Sequence, residues 1–410
     1  MQNMKFIDRI CFRNEMNMQR ENMKKLLLIT DMYPDESNPV SGIFVKQQAL
    51  ELAKYYDIKI IATAMVDISD FVVGSDTKED IDVQYIYSPM NKQSYFLSIF
   101  HYFRDVIPTV KSTIENWNPD IIHVHDCRHI PELFCLRSLF NSIRKPTYLT
   151  MHNNKTHPSK IRSSLTKVLY NFTLSGSYSN WTHVFTVNER LKKEISPFCD
   201  EKHITVLKNG ISEIQATNTH FVETVLKRLR SDAYRLISVG NLIREKGFDL
   251  LLKAVRKLKD KNHNMQLVIL GSGNEYHYLV ELSHDLGLDN DVMFIPRQTN
   301  DEVRNLYPHF HCFVLPSYSE TFGIVYIEAM YAGLPTIGVK GQGIDGTIID
   351  GDNGILVEPE NDDSLVEKLE FLIINPEEAK RIADNGKTLV IHEYMLDKIM
   401  KKVISEYERN

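Results

Sequence analysis

The sequence predicts an α/β chain of two doubly wound parallel sheets, one per domain; if the two domains face each other, a cleft lies between them. Three observations lead there. Short apolar, β-branched runs alternate with longer amphipathic runs, as strands covered on both faces by helices should. The alternation breaks in a polar stretch between Asn209 and Ser231 and then starts again. The length of 410 residues suits two or three domains of about 150 residues each.

The first series of predicted strands covers 26–30, 58–63, 83–87, 121–124, 147–150, 183–187 and 204–207. The second covers 235–239, 265–270, 292–294, 312–315, 336–339 and 354–357. Between them lie helical runs. Val45, Ala49, Leu52 and Ala53 mark one face of a helix over 44–55, and Leu251, Leu252, Val255 and Leu258 mark one over 248–258. Residues 1–22, rich in methionine and mixed charge, read as an N-terminal extension. Residues 23–210 form an N-terminal Rossmann-like domain, joined by a C-terminal helix of about 390–410. Residues 211–389 form a second Rossmann-like domain. Ligands of such sheets bind at the carboxyl ends of the strands, so a cleft between two of them can hold a donor on one wall and an acceptor on the other.

Composition narrows the function. A net charge of −6 argues against a dedicated nucleic-acid binder, which carries a basic excess. Cys11, Cys127, Cys135, Cys199 and Cys312 are odd in number and lack metal-ligand spacing. They fit free thiols in a reducing compartment, so a cytoplasmic location is expected. No apolar run reaches the length of a membrane span, and the charged N-terminus is not a signal peptide.

Chemistry concentrates in 317–330. An apolar strand ending in Leu315-Pro316 leads into it, and a helix is predicted from Phe322. The turn offers backbone N–H groups at Gly323, Ile324 and Val325 to an anion. Glu320 precedes the helix and Glu328 lies inside it. A capped helix with two surface acids fits the pattern equally well. A second loop, 239–248, carries Arg244 and Lys246, two cations that could neutralise a diphosphate; a solvated basic loop is the other reading of the spacing. Gly271-Ser272-Gly273 follows a strand and is weak by itself. In the N-terminal half, Ser41-Gly42 stands before a helix, with Ser41 as a plausible cap. His123 and His125 share one strand face, and a zinc pair there lacks a third ligand of suitable spacing. His152 ends the next strand. Asp350-Gly351-Asp352 reads as a turn rather than a metal-binding acid pair.

The segment 317–330 resembles the signature of the family 4 retaining glycosyltransferases, which have the GT-B fold of two Rossmann-like domains. That signature is two glutamates separated by seven residues, with Phe-Gly after the first and Glu-Ala-Met at the second. It stands here as Glu320, Phe322-Gly323 and Glu328-Ala329-Met330. Gly333-Leu334-Pro335, the stretch 341–349 and 353–357 extend the resemblance, which covers about 25–405. It departs at Asn241, where the family has an arginine.

The resemblance implies the roles. Glu320 and His152 position the sugar, Lys246 and Arg244 stabilise the diphosphate, and Glu328 holds the ribose. Phe322, Gly323 and Ile324 shape the donor turn, and Gly42 approaches the diphosphate from the opposite wall. Gly273 borders the nucleoside, and Arg297 lies near the base. The implied activity is a hexosyltransferase type, retaining and independent of any metal or cofactor. It moves sugar from a nucleotide diphosphate donor to a glycan or polyprenyl-linked acceptor, as in assembly of bacterial surface polysaccharide. A nucleotide-sugar epimerase of the same fold and a non-catalytic partner subunit are the alternatives. Peripheral contact with the inner face of a membrane is a further expectation, from Tyr95, Phe96, Ile99, Phe100, Tyr102 and Phe103 in one helix and Lys160, Arg162 and Lys167 in another. Core packing of those helices is the plainer reading.

Overall fold

In the computed structural model the apolar runs form parallel strands, and the chain divides into two compact units. The structure describes residues 23–36, 38, 41–89, 100–125, 130–152, 175–213, 220–320 and 322–409. One unit runs to Lys208 and takes in Ile399–Asn410; the other is Asn209–Lys398. The N-terminal extension, Tyr95, Phe96 and Ile99, and the basic helix expected around 160–169 lie outside the described residues.

The first unit holds β1 (Lys25–Thr30), β2 (Asp57–Val66), β3 (Val72–Lys78), β4 (Ile81–Pro89), β5 (Ile121–His125), β6 (Thr147–Met151), β7 (His183–Thr186) and β8 (Ile204–Val206). Their order is β3-β4-β2-β1-β5-β6-β7-β8. All pairs are parallel except β3 with β4. β5 and β6 are buried along their full length, with the polar His123, His125, Thr147 and Thr150 included. The closing helix Leu396–Glu408 contributes Tyr407 to this core. The Tyr407 hydroxyl bonds His123 Nδ1, and Tyr148 donates to the Glu406 carbonyl at 3.1 Å.

The second unit holds β9 (Tyr234–Val239), β10 (Met265–Leu270), β11 (Val292–Ile295), β12 (Cys312–Val314), β13 (Thr336–Val339) and β14 (Ile355–Val357). The order β11-β10-β9-β12-β13-β14 is the doubly wound arrangement in which the chain reverses direction across the sheet between its first and fourth strands. The helix Phe248–Asp260 covers it with Phe248, Leu251, Leu252, Val255 and Leu258, all buried.

The structure corrects three local expectations. β3 is an additional strand: its Val72 and Val73 are exposed and its other residues are polar or glycine, so no apolar pattern marks it. It turns into β4 through Glu79 and Asp80, both at positive φ, without the glycine or asparagine that usually signals such a hairpin. The helix after β1 starts at Ile43 behind a left-handed Gly42, with no side-chain cap from Ser41. The helix after β12 starts at Ile324 rather than Phe322, again behind a left-handed glycine, Gly323.

Gly247 sits at φ 67°, and a Cβ there would lie 2.4 Å from the Pro316 carbonyl oxygen. The loops after β9 and β12 therefore meet backbone to backbone. Gly287 has a similar φ, 64°, but open surroundings, its nearest neighbour being the Arg256 tip at 3.5 Å. Gly287→Ala is expected to cost about 1 kcal/mol, the left-handed penalty alone, and Gly247→Ala about 2–4 kcal/mol. Urea unfolding of the two variants measures the difference; equal losses would contradict the close approach at Pro316.

Candidate active site

The reversal between β9 and β12 sets the site in the second unit. Tyr318 N–H donates to the Glu245 carbonyl at 3.0 Å, and Ser317 Oγ donates to the same oxygen at 3.2 Å. These bonds lace the loop after β9 to the loop after β12. Lys246 Nζ thereby reaches Glu320 Oε2 at 2.5 Å, with both side chains about 85% shielded from solvent. Glu320 is held from the backbone side too: its carbonyl accepts from Gly343 N–H at 3.0 Å.

The helix Ile324–Tyr331 opens beside this pair, so its N-terminal amides add partial positive charge. Gly323 is constrained here. At φ 74°, a Cβ would lie 2.5 Å from the Tyr326 ring and 3.1 Å from Glu320 Cγ. Tyr326 donates to the Leu315 carbonyl at 2.7 Å, and Phe322 is buried. Arg244 is placed differently from Lys246. It is exposed and engages the Tyr318 hydroxyl.

Glu328 is 2% exposed. Its Oε1 lies 3.9 Å from Arg304 Nε, also buried, and Asn300 hydrogen-bonds the carboxylate. Oε2 has no hydrogen-bond partner among the described residues. Burial pushes the carboxyl up to about 7, with Arg304 opposing. Arg304 carried no sequence signal, because a single arginine in a helix facing inward looks like any surface cation.

Gly271 and Gly273 have packing reasons: a Cβ would come within 1.9 Å of the Gly240 oxygen and 2.2 Å of the Leu242 oxygen. They press this turn onto the loop after β9. At Asn241 a guanidinium arrives from another strand: Arg297 Nη2 donates to Asn241 Oδ1, and Arg297 N–H donates to Ser272 Oγ at 3.2 Å.

The first unit gathers Gly42, Phe44, His125 and His152. A Cβ on Gly42 would sit 2.0 Å from the Met32 oxygen, so the loop after β1 closes on the helix start. The Phe44 and His152 rings are 4.4 Å apart. His152 Nε2 lies 3.4 Å from His125 Nδ1. Burial lowers His125 to about 3 and holds His123 well below the usual histidine range, with His125 and His152 adding to it. Both ring nitrogens of His123 are engaged, by Tyr407 and by Thr150 Oγ1 at 2.8 Å, so His123 reads as a structural histidine, not a zinc ligand.

Comparison with known proteins decides the family. Residues 226–389 match Glycosyl transferases group 1, and residues 47–213 match Glycosyltransferase Family 4. An uncharacterized glycosyltransferase of Methanocaldococcus jannaschii is 30% identical over 70% of this chain and 75% of its own. The chain belongs to the group 1 glycosyltransferases of family 4. The capsular polysaccharide biosynthesis glycosyltransferase CapM of Staphylococcus aureus is 27% identical over 55% of this glycosyltransferase and 61% of CapM. The solved structure of Anabaena HepE in complex with UDP superposes with a TM-score of 0.71 at 16% identity, covering 95% of this chain and 100% of that one. The fold of the glycosyltransferase is GT-B. No helix among its described residues is long and apolar enough to cross a membrane.

The raised Glu328 has a stability consequence. Its folded pKa of about 7 lies above its ordinary value of 4.5, so the folded state keeps this proton to higher pH than the unfolded chain. The protonated carboxyl favours the fold, and that contribution is lost as pH rises through about 7. Relative to wild type, Glu328→Gln should gain roughly 2–3 kcal/mol between pH 5 and pH 8. Thermal and urea unfolding at both pH values reads this; a difference that stays constant with pH would show that Glu328 ionises normally.

Proposed function

We propose that this glycosyltransferase moves a hexosyl group from a nucleotide diphosphate sugar, with retention, to a glycan or polyprenyl-linked acceptor in surface polysaccharide assembly. The observation that carries the reading is the Lys246–Glu320 pair at the β9/β12 reversal, beside the N-terminus of the helix Ile324–Tyr331. This is where a doubly wound sheet binds a nucleotide, and the helix end and Lys246 both favour a diphosphate.

The roles divide by charge. The acceptor oxygen bonds to the anomeric carbon as the anomeric carbon–phosphate oxygen bond breaks. The proton of the acceptor hydroxyl passes to the departing phosphate on the same face, which gives retention. Negative charge grows on the diphosphate as it leaves. Lys246, Arg244 and the amides near Gly323 stabilise that charge more than the ground state. Glu320, oriented by Lys246, accepts sugar hydroxyls. Glu328, with an unsatisfied oxygen, accepts from the ribose; paired hydroxyls suit a carboxylate. By the family resemblance, His152 is assigned to the sugar and Gly42 to the diphosphate. With these cations in place the chemistry requires no metal. Support for the substrate class comes from HepE, solved with UDP, and from the capsular function in CapM's name.

Nucleoside diphosphate release from a panel of uridine- and guanosine-diphosphate sugars, with and without acceptor lipid, tests the reading. Lys246→Ala and Glu328→Ala should each lower turnover at least tenfold, a loss of about 1.4 kcal/mol or more in transition-state binding, in folded protein. Activity should survive chelation of divalent metals. Wild-type rates in both variants would reject the site, and loss with chelator would reject the metal-free mechanism.

A further inference from the structure

Glu328 belongs to a cluster of buried polar groups that leads away from the donor turn. Glu328 Oε2, Arg304 Nε and the Tyr307 hydroxyl are all buried without a hydrogen-bond partner among the described residues. The guanidinium of Arg304 is otherwise committed to Ser212: Nη1 donates to Ser212 Oγ at 3.3 Å, and Nη2 donates to the Ser212 carbonyl. Ser212 follows Ile211, which forms a parallel bridge with Met395. Ile211 N–H donates to the Tyr394 carbonyl at 2.9 Å, and Leu396 N–H donates to the Ile211 carbonyl at 2.8 Å.

These two paired stretches are where the chain enters and leaves the second unit, after Lys208 and before Ile399. A second thread reaches them from Glu320. Gly343 N–H bonds the Glu320 carbonyl, and in the same loop Thr347 Oγ1 meets the Tyr394 hydroxyl at 2.9 Å. Both acids of the donor site are thus connected to the same pair of crossover stretches, one through Arg304 and one through Tyr394.

We propose that Arg304 is a positioning residue that couples occupancy of the nucleotide subsite at Glu328 to the crossover stretches at Ser212 and at 394–396. The proposal rests on reading Glu328 as the ribose-binding acid. A buried carboxylate needs a counter-charge, and among the described residues Arg304 provides one at 3.9 Å. Its planar fork serves Glu328 on one edge and Ser212 on the others, which a lysine cannot reproduce. When a ribose hydroxyl satisfies Oε2, the carboxylate is held ionised and Arg304 is held against it, so the bonds to Ser212 tighten. Coupling of this kind is reciprocal: whatever loosens Ser212 weakens the nucleotide by the same factor.

Full-length protein tests this by amide hydrogen exchange and by titration with UDP, GDP and ADP, the tightest binder serving as probe. In wild type, saturating nucleotide should slow exchange at the Ile211 and Leu396 amides. Arg304→Lys should abolish that slowing and weaken binding about fivefold to tenfold, within the usual range for coupled sites. Glu328→Gln is the control. If Glu328→Gln binds as wild type, the ribose reading fails and takes the coupling with it. If Glu328→Gln binds weakly while Arg304→Lys binds as wild type, the coupling alone is overturned. Unchanged exchange at Ile211 and Leu396 in wild type overturns it too, and that measurement needs no variant to fold.

Discussion

Lys246 can reach Glu320 only because the chain, having built β10 and β11 on one side of β9, returns to place β12 on the other. That reversal leaves two strand ends side by side with no strand crossing between them. Gly247 lets the two loops touch at Pro316, and the bonds from Ser317 and Tyr318 to Glu245 fix their register. A side chain at Gly247 would force the loops apart and take the cation from the acid. The ion pair then orients Glu320, whose backbone holds the loop at Gly343, and sets the charge beside the helix at Ile324. Each later feature of the site depends on this contact forming.

The second acid shows what such a site costs. Glu328 is buried, has one unsatisfied oxygen and ionises near neutrality. Retaining an unsatisfied carboxylate in the core is the kind of local violation that stable folds keep where a ligand must bind. The first unit repeats the theme more mildly, with His125 and His152 packed together and burial keeping His125 neutral.

Most of the fold was legible because parallel strands buried on both faces leave long apolar runs. β10 reads directly as Met265–Leu270, and the polar gap after Asn209 marks the passage between units. β3 was illegible because an exposed edge strand needs no apolar face. In the site, Glu320, Glu328 and Lys246 stood out through the family signature they resemble; by pattern alone a capped helix with two surface acids fitted equally well. What sequence could not show were partnerships across the fold. Arg304 is about 24 residues upstream of Glu328 and meets it only through packing. Arg297 comes to Asn241 from the end of β11, and Arg244, two residues before Lys246, lies at Tyr318 in the loop after β12. Residues from separate strands converge, and local pattern does not carry that fact.

A double-mutant cycle on Lys246 and Glu320 measures the central contact most directly. The quantity is kcat/KM for the nucleotide-sugar donor in Lys246→Met, Glu320→Gln and the double variant. If the two side chains act as one unit, the double variant loses little more than the worse single one, with a coupling energy of about 1–3 kcal/mol. Losses that simply add would mean that Lys246 and Glu320 work independently, and would contradict the account of this site as a single clamp built by the β9/β12 reversal.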